Sequence, residues 1–152
     1  MTQAGPQAFS RRARVRSRRN AVQALYQWDM TQAPIAQIIA EFENDRAELQ
    51  NADRQYFRDI VTGVSGCRTE LEHELVQHLD RPVAQLDPVE RAVLFLGMYE
   101  LKFRPDLPWR VVVNEAIELA KMFGAEQSHK YINGVLDAAA RRLRPAAAGA
   151  ER

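Results

Sequence analysis

Apolar residues return every three or four positions along most of this chain, and nowhere do they alternate in twos. That period restricts the fold to helices, because a helix turns in 3.6 residues and a strand in two. The longest run is Phe57, Ile60, Val61, Val64, Leu71, Leu75 and Leu79, which predicts one helix over residues 53–79. Gly63 and Gly66 lie in its middle. Each weakens a helix by about 1 kcal/mol relative to Ala, so the pair marks a close helix contact or a bend. The break Asp80-Arg81-Pro82 ends the run.

Five further segments share the period. A first helix over about 10–30 carries Val22, Leu25 and Asp29/Met30 on its stripe, with arginines dominating its first two turns. Positive charge at a helix N-terminus opposes the macrodipole, so these turns are expected to order on meeting an anion. A second helix starts near Pro34 and turns Ile35, Ile38, Ile39 and Phe42 to one face. A fourth has the clearest start: Asp87 caps, Pro88 fits the first turn and Glu90 completes a capping box. Its stripe is Val89, Val93, Leu96 and Gly97, and it ends before Arg104-Pro105. A fifth runs from Pro108 to Gly124 with Val113, Ala116, Ile117 and Ala120 inward. A sixth covers about 127–144 with Ile132, Val135, Leu136, Ala139 and Leu143 inward.

Six helices with short connections make an all-α helical bundle of two packed three-helix subdomains, joined by the long third helix. The domain spans 11–144, with halves at about 11–81 and 82–144, between a flexible arm at 1–10 and a flexible tail at 145–152. At 152 residues the chain fits that size. No apolar run approaches the roughly 18 residues of a membrane span. No cationic stretch leads into an apolar one as in a secretory signal. The single cysteine, Cys67, excludes an internal disulfide and fits a reducing, cytoplasmic setting.

The net charge of +1 conceals an asymmetry. Residues 1–20 hold six arginines (11, 12, 14, 16, 18 and 19) and no acid, leaving 15 basic and 20 acidic residues elsewhere, a balance of −5. A basic arm on an acidic body points to a polyanionic partner; charge alone leaves a solubilising tail open. Arginine pairs bidentately with phosphate and stacks on bases. Single-stranded RNA recognition also needs planar platforms. Tyr26 and Trp28 follow the arginines; Trp28 reads as core packing, and Tyr26 fits either role. A second cluster is Gln127-Ser128-His129-Lys130-Tyr131, at a helix N-terminus whose amides attract phosphate. A cap over a core tyrosine fits it equally well.

No constellation supports catalysis. His73-Glu74 and His78 resemble a zinc-protease motif, but five residues turn a helix by about 140° and part the two rings; both read as surface histidines. Glycines are scattered and form no phosphate loop. Glu115 and Glu118 read as a solvated or pairing face, and Asn114, within VVVNEA, as a buried polar anchor. No cofactor or metal is implied.

From about residue 14 to 143 the chain resembles the NusB family, through ARVRSRRNAVQALYQWD, DRQYFRDIVTGV, LDPVERAVLFLGMYEL and LPWRVVVNEAIELAKMFGAEQSHKYINGVLD in that order. The resemblance implies two perpendicular three-helix bundles. It implies binding of boxA, a short single-stranded element of ribosomal RNA leader transcripts. It implies pairing with NusE, the ribosomal protein S-ten, and loading with other Nus factors onto elongating RNA polymerase to resist termination. It assigns RNA contact to Arg14, Arg16 and Arg18, extended by Arg11 and Arg12, with Val15 and Arg19 departing from the common pattern. Tyr26, in QALY, falls at the RNA and partner surface, and Glu90, in PVERA, near it. Gln127, Ser128, Lys130 and Tyr131 fall in the segment that meets RNA, where Gln127 replaces an acid and Tyr131 a phenylalanine. The NusE surface falls around the fourth and fifth helices. Some members form homodimers that mask the arm. The residues themselves leave two rivals: a protein–protein adaptor whose arginines pair with acidic surfaces, and a hydrolase or transferase, for which they offer no convincing acid–base pair.

Overall fold

The structure, a computed structural model, describes residues 6–123 and 127–150, with side chains at 11–123 and 127–147. It is all-α: no strand occurs among the described residues. The chain divides into two compact units, Met1–Ser65 and Gly66–Arg152. This divide comes earlier in the chain than the Asp80–Pro82 break where the sequence pattern puts it.

The first unit contains α1 (Pro6–Thr31), α2 (Ile35–Asp45), a 3₁₀ turn (Ala47–Asn51) and α3 (Arg54–Gly66). Its core joins Ala21, Val22, Ala24 and Leu25 of α1 to Ile38 and Phe42 of α2, Leu49 of the turn, and Phe57, Ile60 and Val61 of α3. Phe42 and Phe57 stack with ring centroids 5.9 Å apart. α1 starts at Pro6, within the segment expected to be a loose arm, with no acid in its first turn; residues 1–5 lie outside the described residues. α1 stops where Gln32 adopts a left-handed φ of 60° and donates its backbone N–H to the Trp28 carbonyl at 2.8 Å.

The second unit contains α4 (Arg68–Val76), a 3₁₀ turn (Val83–Gln85), α5 (Pro88–Phe103), α6 (Trp109–Phe123), α7 (Ser128–Leu143) and α8 (Pro145–Ala150). α5 is its axis. Residues 92–98 are buried all round, which a helix sustains only with partners on every side, and α4, α6 and α7 supply them. At Gly97 an added Cβ would meet Leu136 Cδ1 at 2.8 Å, so this glycine lets α7 approach closely.

Both ends of α5 are tied. Asp87 accepts from the Val89 and Glu90 amides while Glu90 reaches back to the Asp87 amide, the full capping box expected. At the other end one guanidinium, that of Arg144, donates to the carbonyls of Glu100 (3.0 Å), Leu101 (3.1 Å), Arg104 (2.8 Å) and Leu107. These include carbonyls that the helix end cannot pair within itself. Arg91 treats the preceding turn alike, donating to Val83 and Leu86 at 3.2 and 3.1 Å.

Several expectations are corrected. The single helix over 53–79 is two, broken between Gly66 and Arg68, with Cys67 at φ −113°. Gly66 has open space around it, so it marks a chain break and no close contact. Asn114 is exposed, being on the outer side of α6. Trp28 is half-buried, outside the core. The tail forms α8, since Pro145 fits a first turn and alanines follow. Residues 151–152 and the expected stop at Gly124 lie outside the described residues. No described helix is long and apolar enough to cross a membrane, and the described residues group no three metal-ligating side chains. His73 is exposed and His78 half-buried.

Candidate nucleic-acid interface

Two clusters carry the chemistry, one in each unit. In the first, α1 leads its arginines along the N-terminus of α3. Arg11 and Arg12 are exposed. Beyond them, Ala13 and Ser17 are buried and make the seam. The Ser17 hydroxyl lies 3.0 Å from the Ala13 carbonyl and 2.6 Å from that of Asp53. Asp53 caps α3 by accepting from the Tyr56 amide at 3.1 Å.

That seam sets each following guanidinium. Arg14 lies over the Tyr56 ring, 4.4 Å from its centroid, with its Nε 3.7 Å from the Asp53 carboxylate. Arg16 donates to the Asn51 carbonyl at 3.3 Å. Both remain half-exposed, so donors are left over for an outside anion. Arg19 pairs with Glu48. Arg18 differs: it is 4% exposed and donates to the Tyr56 hydroxyl at 3.4 Å. The free chain thus encloses this guanidinium against Tyr56, unlike the neighbouring arginines on α1. Tyr26, further along α1, is 40% exposed, too open for a core residue of its size.

The second cluster surrounds the start of α7. Gln127 makes no side-chain cap hydrogen bond. Ser128 does not cap either; its hydroxyl donates to Glu90 Oε2 at 2.6 Å. Glu90 Oε1 already accepts from the Asp87 amide, so one carboxylate closes the α5 capping box and fixes the start of α7. A small cleft between them is lined by Asp87, Glu90, Val93, Ser128 and Ile132. Gln127 and Lys130 are exposed and Tyr131 is half-buried. Among the described residues no side chain caps the start of α7, and uncapped amides at a helix start attract anions.

Tyr131 has companions that sequence reading missed. Its hydroxyl donates to Asp80 Oδ1 at 3.0 Å. Arg81 grips the same carboxylate, Nε to Oδ1 at 2.7 Å and Nη2 to Oδ2 at 3.3 Å. The Arg81 guanidinium also lies over the Tyr131 ring, 4.5 Å from its centroid. Arg81, then Tyr131, hold the Asp80 carboxyl below the usual carboxylate range, and burial pushes the Tyr131 phenol up. In the sequence these two residues are only the break before Pro82. An Asp-Arg pair beside an aromatic is visible only once the chain has folded.

Set beside known proteins, the chain matches the sequence model of the NusB family over residues 15–141. It is 50% identical over 140 residues to the transcription antitermination protein NusB of Alcanivorax borkumensis, covering 92% of this chain and 93% of that one. It is 49% identical over 137 residues to the protein of that name from Xanthomonas axonopodis pv. citri, covering 90% and 86%. Among solved structures it resembles T. maritima NusB at a TM-score of 0.72 and 32% identity, covering 84% of this chain and 90% of that one. It also resembles a chain in a crystal structure of antitermination factors NusB and NusE in complex with double-stranded RNA, at a TM-score of 0.72 and 25% identity, covering 86% and 98%.

Proposed function

The chain belongs to the NusB family, and on that premise we propose that it is an RNA-binding transcription antitermination factor. It binds boxA-type single-stranded RNA in ribosomal RNA transcripts together with the ribosomal protein NusE. The complex joins RNA polymerase elongation complexes with other Nus factors and promotes processive elongation. The factor works in the cytoplasm, by recruitment, with no chemistry of its own.

The observation that carries this reading is the gradation along α1. Arg11 and Arg12 are exposed, Arg14 and Arg16 are held but half-open, and Tyr26 presents a ring on the same helix. Fixed guanidiniums lose less freedom on meeting phosphate than loose ones. Arg11, Arg12, Arg14 and Arg16 take phosphates, and Arg18 keeps Tyr56 in place beneath them. Gln127, Ser128, Lys130 and Tyr131 form a second contact, where amides without a side-chain cap, a cation and a ring coincide. Tyr26 and Glu90 serve the NusE side as well.

Filter binding of a boxA-containing single-stranded oligoribonucleotide over a salt series tests this. Each single-strand phosphate contact contributes about −0.7 to the log–log slope. Replacing Arg11 and Arg12 by alanine is expected to flatten the slope by about 1.4. A slope near zero for the unaltered protein overturns the reading. Loss of NusE binding with no change toward RNA on charge reversal at Arg14 and Arg16 favours the adaptor instead.

A further inference from the structure

A base stacking on Tyr131 would meet a ring with one face already occupied. Arg81 lies on it at 4.5 Å, and Asp80 holds both the guanidinium and the phenol hydroxyl. A base and a guanidinium cannot stack on one face at once. The three groups form a closed ring of contacts, so each fixes the other two. They are also poised to part, because the Asp80 and Arg81 side chains are 66% and 41% exposed. An ion pair so open to water is weak.

The charges give the parting a direction. Closed, Asp80 and Arg81 present a neutral pair to an approaching strand. Opened, the guanidinium swings into the solvent as a bidentate phosphate ligand, next to the base that has taken its place. A ligand must therefore supply an unstacked base and a neighbouring phosphate together. A duplex keeps its bases paired and offers only the phosphate.

We propose that Asp80 and Arg81 form a gate over Tyr131, which single-stranded RNA opens by displacing the Arg81 guanidinium from the ring onto one of its own phosphates. The gate rests on the RNA-binding reading and adds to it a reason why this site favours unpaired over paired strands. Asp80 and Arg81 are positioning residues for the closed state, and Arg81 becomes a ligand in the open one.

The test uses the full chain and a boxA-containing single-stranded oligoribonucleotide, with the same oligonucleotide annealed to its complement as the comparison. Tyr131→Phe keeps the ring and every charge but removes the hydroxyl that Asp80 holds. It is expected to bind the single strand roughly three-fold more tightly, the hydroxyl's bonds to the Asp80 carboxylate and backbone N–H having been released, with the duplex unaffected. Arg81→Ala is expected to flatten the salt slope by about 0.7. In the free protein the Arg81 Nε–H resonance is expected to show the ring-current shift of a proton over Tyr131, and saturating RNA to abolish it. RNA binding with that resonance unmoved, or no tightening in Tyr131→Phe, overturns the gate alone. No RNA binding by the unaltered protein overturns the functional reading and the gate with it.

Discussion

At the scale of single residues, Arg144 does most for its size. Hydrogen bonds from a charged donor contribute about 1.5–3 kcal/mol each where their loss strands a buried partner. The four carbonyls on this guanidinium share one side chain and are partly buried. Arg144→Ala is therefore expected to destabilise the fold by about 2–3 kcal/mol in urea unfolding. Arg144→Lys should recover less than half, since a compact ammonium cannot span the set. His78 reports on pH. Burial, then the charge of Arg142, lowers its pKa below the ordinary 6.5, against the smaller opposing pull of Glu74. Glu74 itself bridges Arg142 and Lys102, which also reaches Glu70. The unfolded chain thus takes up a proton at this histidine before the folded chain does. Stability contributed by neutral His78 is intact above the unfolded pKa and is lost as pH falls below it toward the folded value. Denaturation midpoints should fall between about pH 7 and pH 5, and less so in His78→Gln.

At the scale of elements, α5 was readable in advance because its start signal is local. Asp87, Pro88 and Glu90 lie within four residues and satisfy one another's backbone groups. Asp87→Ala is expected to cost about 1 kcal/mol, and since Glu90 also holds Ser128, thermal unfolding should show the loss alongside faster amide exchange at the start of α7. Where α5 stops was readable as well, before Arg104-Pro105; what ties that end was not, because the donor is Arg144, 40 residues beyond Arg104. The same distinction explains the other differences. Helical spacing continues across Gly66, so the pattern misses a break that depends on one backbone rotation at Cys67. Asn114 interrupts three valines and an alanine in the sequence, yet the rotation of α6 turns it outward. Arg18 cannot be told from Arg16 by type; only Tyr56, 38 residues later, makes one buried and leaves the other half-open. Apart from the break between α3 and α4, the early start of α1 and the added α8, the helices were legible from periodicity. What holds each arginine and Tyr131 was not.

At the scale of the whole molecule, charge is sorted along the chain: +6 within the first 20 residues and −5 in the rest. Phosphate contacts carry affinity without sequence preference. Removing the charges of Arg11 and Arg12 should weaken boxA and scrambled single strands by the same factor, leaving their ratio unchanged in competition binding. A change in that ratio would give these residues a role in base readout. The tethering of α5 has its own consequence for how the molecule is made. A ribosome emits the carbonyls of Glu100, Leu101 and Arg104 long before Arg144. Until that codon is read, the central helix of the second unit must keep its far end in water. Its last turn therefore closes late in translation, and a message cut short before that point yields a chain whose axis is finished at one end only.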